Sequence, residues 1–194
     1  MNFKKIGLFF GSFNPIHVGH MAIANYMAEF TDMEEVWLVV SPQNPFKKNQ
    51  TMLGAHHRMN LIRAGIGDYK KIKPCDAELK LPEPNYTINT LRQLSEQYPA
   101  KEFVLIMGKD NLFTFDKWKD YEEILKDYEI YVYPRKGIGK TPFDKHPKVT
   151  IIHAPVIEVS ATFIRNALKE KKDVRFLLPE SAAKYRTEMH FYEK

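Results

Sequence analysis

Short apolar runs recur along the chain and predict the strands of one sheet. The runs are nearly continuous rather than alternating, and they are rich in β-branched and aromatic residues. This pattern is typical of strands that are buried on both faces, as in a parallel sheet. The predicted strands cover residues 6–10, 36–40, 103–107, 130–133 and 149–153.

Helical patterns separate these runs. Between 87 and 98, for example, Ile88, Leu91 and Leu94 share one helix face. Pro179 occupies a favourable first position for the last helix. The predicted helices cover residues 21–30, 55–66, 87–98, 121–127, 162–169 and 180–189. Alternating strands and helices predict a doubly wound, Rossmann-like α/β fold, with a parallel sheet and helices on both faces.

The spacing of the elements shows no linker, repeat or low-complexity tract. A chain of 194 residues is long enough for one sizeable core, so we expect a single domain over residues 1–194. Two looser segments, 42–50 and 136–148, are rich in Pro and Lys, and each follows a predicted strand. Ligands of such sheets lie beyond the carboxyl ends of the strands, where we expect both segments to overhang.

Composition narrows the class of protein only slightly. Hydrophobic residues make up 44% and charged residues 27%, which is ordinary for a soluble globular protein. The net charge of +5 suits anionic small molecules, but the lysines are dispersed, and no arginine-rich arm indicates a nucleic-acid partner. The single cysteine, Cys75, excludes an internal disulfide and fits a reducing compartment.

No apolar run has the length of a signal peptide core or a membrane span. We therefore expect a cytoplasmic protein without a membrane partner. The sequence is compatible with a homo-oligomer but does not predict one.

The stretch Gly-Ser-Phe-Asn-Pro-Ile-His-Val-Gly-His at 11–20 predicts a phosphate site. Gly11 allows the backbone to approach an anion, and Pro15 fixes the turn. A helix that begins just after His17 directs unpaired N–H groups at negative charge, and His17 and His20 can hydrogen-bond phosphate oxygens. The alternatives are an ordinary turn with two surface histidines, or a metal site. No third ligand is near in sequence for the metal site, so we predict no metal ligands.

A second anion-binding pattern covers residues 157–165. An apolar strand is expected to end at Ser160, a good N-cap, and Thr162 and Arg165 follow in the first turns of a helix. The alternative is a capped helix with a surface arginine.

These two patterns resemble the signatures of the nucleotidyltransferase superfamily. The first is similar to its His-x-Gly-His motif, and the second to Ile-Ser-Ser-Thr-x-Ile-Arg with Ala161 in place of the second serine. Asn14 stands where the family commonly has Asp. The superfamily fold is the same Rossmann-like nucleotidyltransferase type.

Further segments narrow the resemblance to bacterial nicotinate-nucleotide adenylyltransferases, over nearly the whole chain. The matching segments are Pro-Gln-Asn-Pro-Phe-Lys-Lys at 42–48, Asn-Tyr-Thr-Ile-Asn-Thr-Leu at 85–91, Met-Gly-Lys-Asp-Asn-Leu at 107–112, Phe-Asp-Lys-Trp at 115–118, Pro-Arg-Lys-Gly at 134–137 and Leu-Leu-Pro at 177–179. Asn85 replaces a common Ser, and Phe-Lys at 46–47 replaces a frequent Pro-His, so the ligand-facing lysine of that loop stays open.

The resemblance implies transfer of AMP from ATP to nicotinate mononucleotide, by direct in-line attack of the acceptor phosphate. Mg²⁺ would arrive with ATP. The implied catalytic residues are His17, His20 and Arg165. The implied ATP-binding residues are Gly11, Ser12, Phe13, Gly108, Asp110, Ser160 and Thr162. The implied nicotinate-nucleotide-binding residues are Asn44, Lys47, Lys48, Thr87, Trp118, Lys119 and Arg135. The preference for nicotinate over nicotinamide rests mainly on the resemblance.

Each assignment has an ordinary structural alternative. Trp118 could stack on a ring or be a partly buried core indole, and Asp110 could cap a helix. His56, His57 and Arg58 are interpreted as surface and packing residues. The rival enzyme is phosphopantetheine adenylyltransferase, which lacks the block at 110–118. The rival of another class is a non-catalytic nucleotide sensor, which usually loses a histidine or the arginine.

Overall fold

The computed structural model describes residues 4–42 and 52–193. Within them, six strands form one sheet in the order β3-β2-β1-β4-β5-β6, and every neighbouring pair is parallel. The strands are β1 (Lys4–Gly11), β2 (Glu35–Val40), β3 (Ile72–Cys75), β4 (Lys101–Gly108), β5 (Glu129–Tyr133) and β6 (Val149–Ile151). The predicted parallel sheet is confirmed. Strand order reverses between β1 and β4, so the expected ligand crevice begins beyond β1.

Helices cover both faces of the sheet, as predicted. They are α1 (Val18–Phe30), α2 (Ala55–Ile66), α3 (Thr87–Gln97), α4 (Lys109–Phe113), α5 (Tyr121–Asp127), α6 (Ala161–Lys169) and α7 (Glu180–Glu188). None of the helices in the described ranges is long and apolar enough to cross a membrane.

Alternation along β1 divides the core into two layers. Phe9 joins the layer under α1 and α2, which includes Met27 and Ile62. Leu8 joins the layer under α3 and α5, which includes Leu91. Because the middle of β1 is buried on both faces, its sequence is free of polar side chains from Ile6 to Phe10.

Several sequence-based boundaries differ from the structure. The third strand was not predicted because it lies at the sheet edge, where Lys73 is exposed and Pro74 is tolerated. The prediction of a strand ending at Ser160 was wrong, since residues 152–160 have no regular structure. Pro179 precedes the last helix as its N-cap rather than beginning it.

Candidate active site

The loop after β1 delivers two histidines to the start of α1. His17 is the N-cap of that helix in an extended conformation, and its Nδ1 accepts the backbone N–H of His20 at 3.4 Å. A Cβ on Gly19 would lie 3.1 Å from Nδ1 and Cε1 of His17. The glycine between the histidines therefore leaves room for the ring that caps the helix.

The two imidazoles form a stacked and largely buried pair. Their centroids lie 3.6 Å apart with the planes inclined by 25°. The rings of Phe13 and Phe9 pack edge-on against the ring of His20. Their ring centres lie 5.0 Å and 6.1 Å from that of His20. Burial, followed by the charge of Arg135, lowers the pKa of His17 to about 4. Burial, His17 and Arg135 together hold the pKa of His20 well below its usual value, so both rings are neutral at pH 7.

The hydrogen bonds of the pair indicate which atoms face a ligand. Since Nδ1 of His17 accepts a hydrogen bond, the neutral ring carries its proton on Nε2 and can donate it. Nδ1 of His20 is buried and has no hydrogen-bond partner within the described part of the chain. The pair is thus a set of uncharged donors in a desolvated pocket.

The second motif lies over the first. Ser160 caps α6 by accepting the N–H of Phe163 at 3.2 Å, as predicted. Arg165 donates from Nη2 to the hydroxyl of Thr162 at 3.2 Å, and from Nη1 to the carbonyl of Asn14 at 2.7 Å. The tertiary structure therefore brings the arginine against the loop that carries the histidines.

The ends of β4 and β5 supply a third group. Nε of Arg135 lies 3.6 Å from Oδ1 of Asp110, and its Nη2 donates to the hydroxyl of Tyr133 at 3.3 Å. A Cβ on Gly108 would lie 2.3 Å from Oδ1 of Asp110 and 3.1 Å from the ring of Tyr133. Only glycine at 108 leaves this carboxylate in place. The charge of Arg135 also contributes to lowering the pKa of both histidines.

A fourth group stands at the N-terminus of α3. This helix begins at Thr87, and no side-chain hydrogen bond from its N-cap, Tyr86, closes its first turn. Nζ of Lys119 lies 5.3 Å from the ring centre of Tyr86. The indole of Trp118 is partly buried and packs on Phe115 at 5.4 Å. Tyr86 and Lys119, remote in sequence, are therefore neighbours.

The remaining predicted residues divide into two sets. Gly11 and Ser12 lie at the end of β1, where the Gly11 carbonyl accepts the N–H of Ser41 at 3.0 Å. The second set, Asn44, Lys47 and Lys48, lies outside the described residues.

The segment 136–148 is fastened to α4 by an ion pair between Lys109 and Asp144 at 3.2 Å. In the described ranges no group of three or more His, Cys, Asp or Glu could hold a metal ion.

Sequence reasoning interpreted Arg58 only as a surface or packing residue and missed its structural role. Arg58 is 1% exposed, and its guanidinium donates to four backbone carbonyls. These belong to Ser12 (2.6 Å), Ser41 (2.8 Å), Leu53 (2.9 Å) and Pro42 (3.0 Å). The side chain thus ties the loops after β1 and β2 to the start of α2. No local sequence pattern predicts this role, because an arginine in the first turn of a helix usually faces water.

Comparison with known proteins gives a consistent assignment. The family model described as cytidylyltransferase-like matches residues 8–167. A protein from Christiangramia forsetii named "Probable nicotinate-nucleotide adenylyltransferase" is 52% identical over 98% of this chain and 99% of its own length. A protein of the same name from Flavobacterium psychrophilum is 51% identical over 98% and 100%.

Solved structures agree on the fold. The nicotinic acid mononucleotide adenylyltransferase of Plasmodium falciparum, complexed with NaAD, superposes with a TM-score of 0.81 over 98% of both chains at 20% identity. A putative nicotinate-nucleotide adenylyltransferase from Vibrio parahaemolyticus gives 0.75 at 25% identity, over 98% of this chain and 96% of its own.

Proposed function

This chain belongs to the nicotinate-nucleotide adenylyltransferase family, and from that premise we propose that it transfers AMP from ATP to nicotinate mononucleotide. The products are deamido-NAD and pyrophosphate. The observation that carries the proposal is the neutral, stacked pair of His17 and His20 at the switch point of the sheet, with Arg165 of α6 hydrogen-bonded to the same loop.

The reaction needs no covalent intermediate. An oxygen of the acceptor phosphate attacks the α-phosphorus of ATP, and the bond from that phosphorus to the bridging oxygen breaks. The bonding pair leaves with pyrophosphate. The nucleophile is already anionic, so the protein contributes by positioning the two phosphates and stabilising the charge that develops.

The two histidines and the Ser160–Arg165 motif are proposed to contact different phosphates of ATP. In this proposal Nε2–H of His17 and the ring of His20 donate to the α- and β-phosphates, and His20 stabilises the leaving pyrophosphate. Arg165, Thr162 and Ser160 contact the β and γ side. The Ser160 oxygen accepts from Phe163, and its own hydroxyl proton remains able to donate to a phosphate. The backbone of Gly11, Ser12 and Phe13 lines the path of the triphosphate.

Mg²⁺ enters with ATP as part of the substrate. Since no acidic cluster within the described residues could hold it, phosphate oxygens and water would supply its coordination.

The two nucleosides are proposed to bind at the ends of β4 and β5 and at the N-terminus of α3. Gly108 and Asp110 suit the ribose of ATP, because the carboxylate is exposed at the end of β4. Arg135, which lies 3.6 Å from that carboxylate and whose charge lowers the pKa of both histidines, suits the acceptor phosphate. The first turn of α3 at Thr87, together with Lys119, suits the nicotinate carboxylate, and Trp118 offers a ring for stacking. Asn44, Lys47 and Lys48 are proposed for the same nucleotide on the resemblance alone.

The fold and the two substrates also bear on the setting of the reaction. Residues 1–194 would act as one domain, because one sheet joins strands from both halves of the described chain. Two small-molecule substrates account for the site, with no nucleic acid and no membrane, and we propose a cytoplasmic location.

The decisive experiment compares acceptors. Pyrophosphate release with Mg²⁺ and ATP is measured with nicotinate mononucleotide, nicotinamide mononucleotide and phosphopantetheine. A strong preference for nicotinate mononucleotide is expected. Turnover with phosphopantetheine alone would identify the chain as a phosphopantetheine adenylyltransferase. No pyrophosphate release with any of the three acceptors would indicate a non-catalytic nucleotide sensor.

A matched pair of variants tests the acceptor site. Stacking on an aromatic side chain contributes about 1–3 kcal/mol, so Trp118→Ala should raise the KM for nicotinate mononucleotide about 5- to 150-fold. The KM for ATP should not change, and Trp118→Phe should keep most of the affinity. Equal KM values in Trp118→Ala and the native protein would remove the indole from the acceptor site.

A further inference from the structure

The last described residues of the chain return to the catalytic loop. After α7 ends at Glu188, the backbone turns at His190 (φ 54°) and Tyr192 (φ 67°). The hydroxyl of Tyr192 then donates to Oδ1 of Asn14 at 2.7 Å. This bond joins positions 178 apart in sequence.

Asn14 is the point at which several segments meet. Its side chain is 4% exposed, and its Oδ1 also accepts the backbone N–H of Leu53, just before α2, at 3.2 Å. Two donors use both lone pairs of this oxygen. Its own carbonyl accepts Nη1 of Arg165 at 2.7 Å. A shift of Asn14 would therefore move the loop that ends at His17 and the acceptor that orients Arg165.

Tyr192 is held in place independently of Asn14. The ring of its neighbour Phe191 packs on the rings of His57 and Tyr185, with ring centres 4.8 Å and 5.8 Å apart. The next residue, Glu193, pairs with Arg186 at 2.9 Å. Burial raises the pKa of the Tyr192 hydroxyl, so this group stays protonated and acts as a donor. Residues 189–193, here called the tail, are thus held by their own contacts. They can therefore determine the position of the loop that carries Asn14.

We propose that Tyr192 is a positioning residue for adenylyl transfer. Its hydroxyl fixes Asn14, and through Asn14 it aligns the histidine loop with Arg165. The inference rests on the proposed function, and nothing in it requires Tyr192 to touch a substrate.

The first test removes only the hydroxyl. In Tyr192→Phe, Oδ1 of Asn14 keeps one donor of two, and we expect kcat for pyrophosphate release to fall about tenfold. The KM values should change less than about threefold, since the binding groups remain. The control is Tyr185→Phe, which also removes one tail-side hydroxyl, there bonded to Nδ2 of Asn60 at 3.3 Å. Equal kcat values for the two variants would overturn the proposal.

A double-mutant cycle separates positioning from general stability. In an Asn14→Ala background, Tyr192→Phe should have no further effect on kcat, because the acceptor is already gone. Independent, multiplicative losses would mean that the hydroxyl acts elsewhere, and would overturn the proposal.

Two further measurements keep the inference testable on its own. If Tyr192→Phe does not fold, the pair Asn14→Asp and Asn14→Leu tests the other end of the bond: the carboxylate should keep kcat, and the leucine should lose it about tenfold. Equal rates in the pair would overturn the proposal. If the native protein releases no pyrophosphate, the proposed function fails. The positioning role is then read from hydrogen exchange of amides 12–20, which should be faster in Tyr192→Phe, and unchanged exchange would contradict it.

Discussion

At the scale of single residues, the protonation of His17 and His20 decides how the site works. Both rings are desolvated and subject to the charge of Arg135, so they are uncharged at neutral pH. A bound triphosphate would bring negative charge to the same place and raise both pKa values. We therefore expect nucleotide binding to be coupled to proton uptake below neutral pH.

The first residue-scale prediction concerns catalysis by His20. His20→Ala should lower kcat by about 10²–10³, because one donor to developing phosphate charge is lost. Circular dichroism should report an unchanged fold. His56→Ala is the matched control, since His56 is an exposed histidine on α2. Near-normal turnover in His20→Ala would refute the role assigned to this ring.

The second residue-scale prediction concerns stability and pH. The pKa of His17 is about 4 in the folded protein, against an ordinary value of 6.5. The unfolded chain therefore binds the proton first, and stability present above pH 6.5 is lost as the pH falls toward 4. Between pH 7.5 and 5 the loss from this group is about 2 kcal/mol. Denaturant unfolding of the native protein and His17→Asn measures it, because Asn can still cap α1. Parallel pH profiles would contradict the assignment.

At the scale of elements, the β1 and β4 motifs each lie at a junction between a strand and the helix that follows it. The β1 to α1 junction was predictable because Gly11 and Pro15 are local turn signals, whereas the helix cap at His17 was seen only in the structure. The β4 to α4 junction was matched only through family resemblance, since α4 spans five residues and has no periodicity to detect.

The element-scale prediction concerns the β4 to α4 junction. Gly108→Ala places a Cβ 2.3 Å from Oδ1 of Asp110 and 3.1 Å from the Tyr133 ring, so the carboxylate must move. We expect the KM for ATP to rise about tenfold, with a loss of about 1–2 kcal/mol in stability. Gly139→Ala is the control, because its Cβ would meet nothing within 4 Å. An unchanged KM would separate Asp110 from ATP binding.

At the scale of the whole molecule, buried polar side chains join segments that are remote in sequence. Arg58 connects the loops after β1 and β2 with the start of α2, and Tyr192 connects the chain end with the first loop. The catalytic geometry is therefore a property of the complete fold rather than of either motif.

The whole-molecule prediction concerns Arg58. Arg58→Lys cannot reach four carbonyls with one ammonium group, and buried acceptors would be left unpaired. The free energy of unfolding should fall by about 2–4 kcal/mol. Denaturant titration measures this loss against Arg63→Lys, an exposed arginine on the same helix. Similar stabilities of the two variants would show that the loops hold together without the guanidinium.

The sequence by itself determined the parallel sheet, the central strands, most helices and the two phosphate motifs. These features follow from local periodicity, capping residues and glycine turns, which are properties of neighbouring residues. The edge strand β3 and the irregular segment 152–160 were misjudged because their local patterns are weak. Only the tertiary structure decided that Arg58 is buried, that the histidines are neutral and that Tyr192 meets Asn14. Burial and contacts across 178 positions depend on how the elements pack, and no local pattern records them.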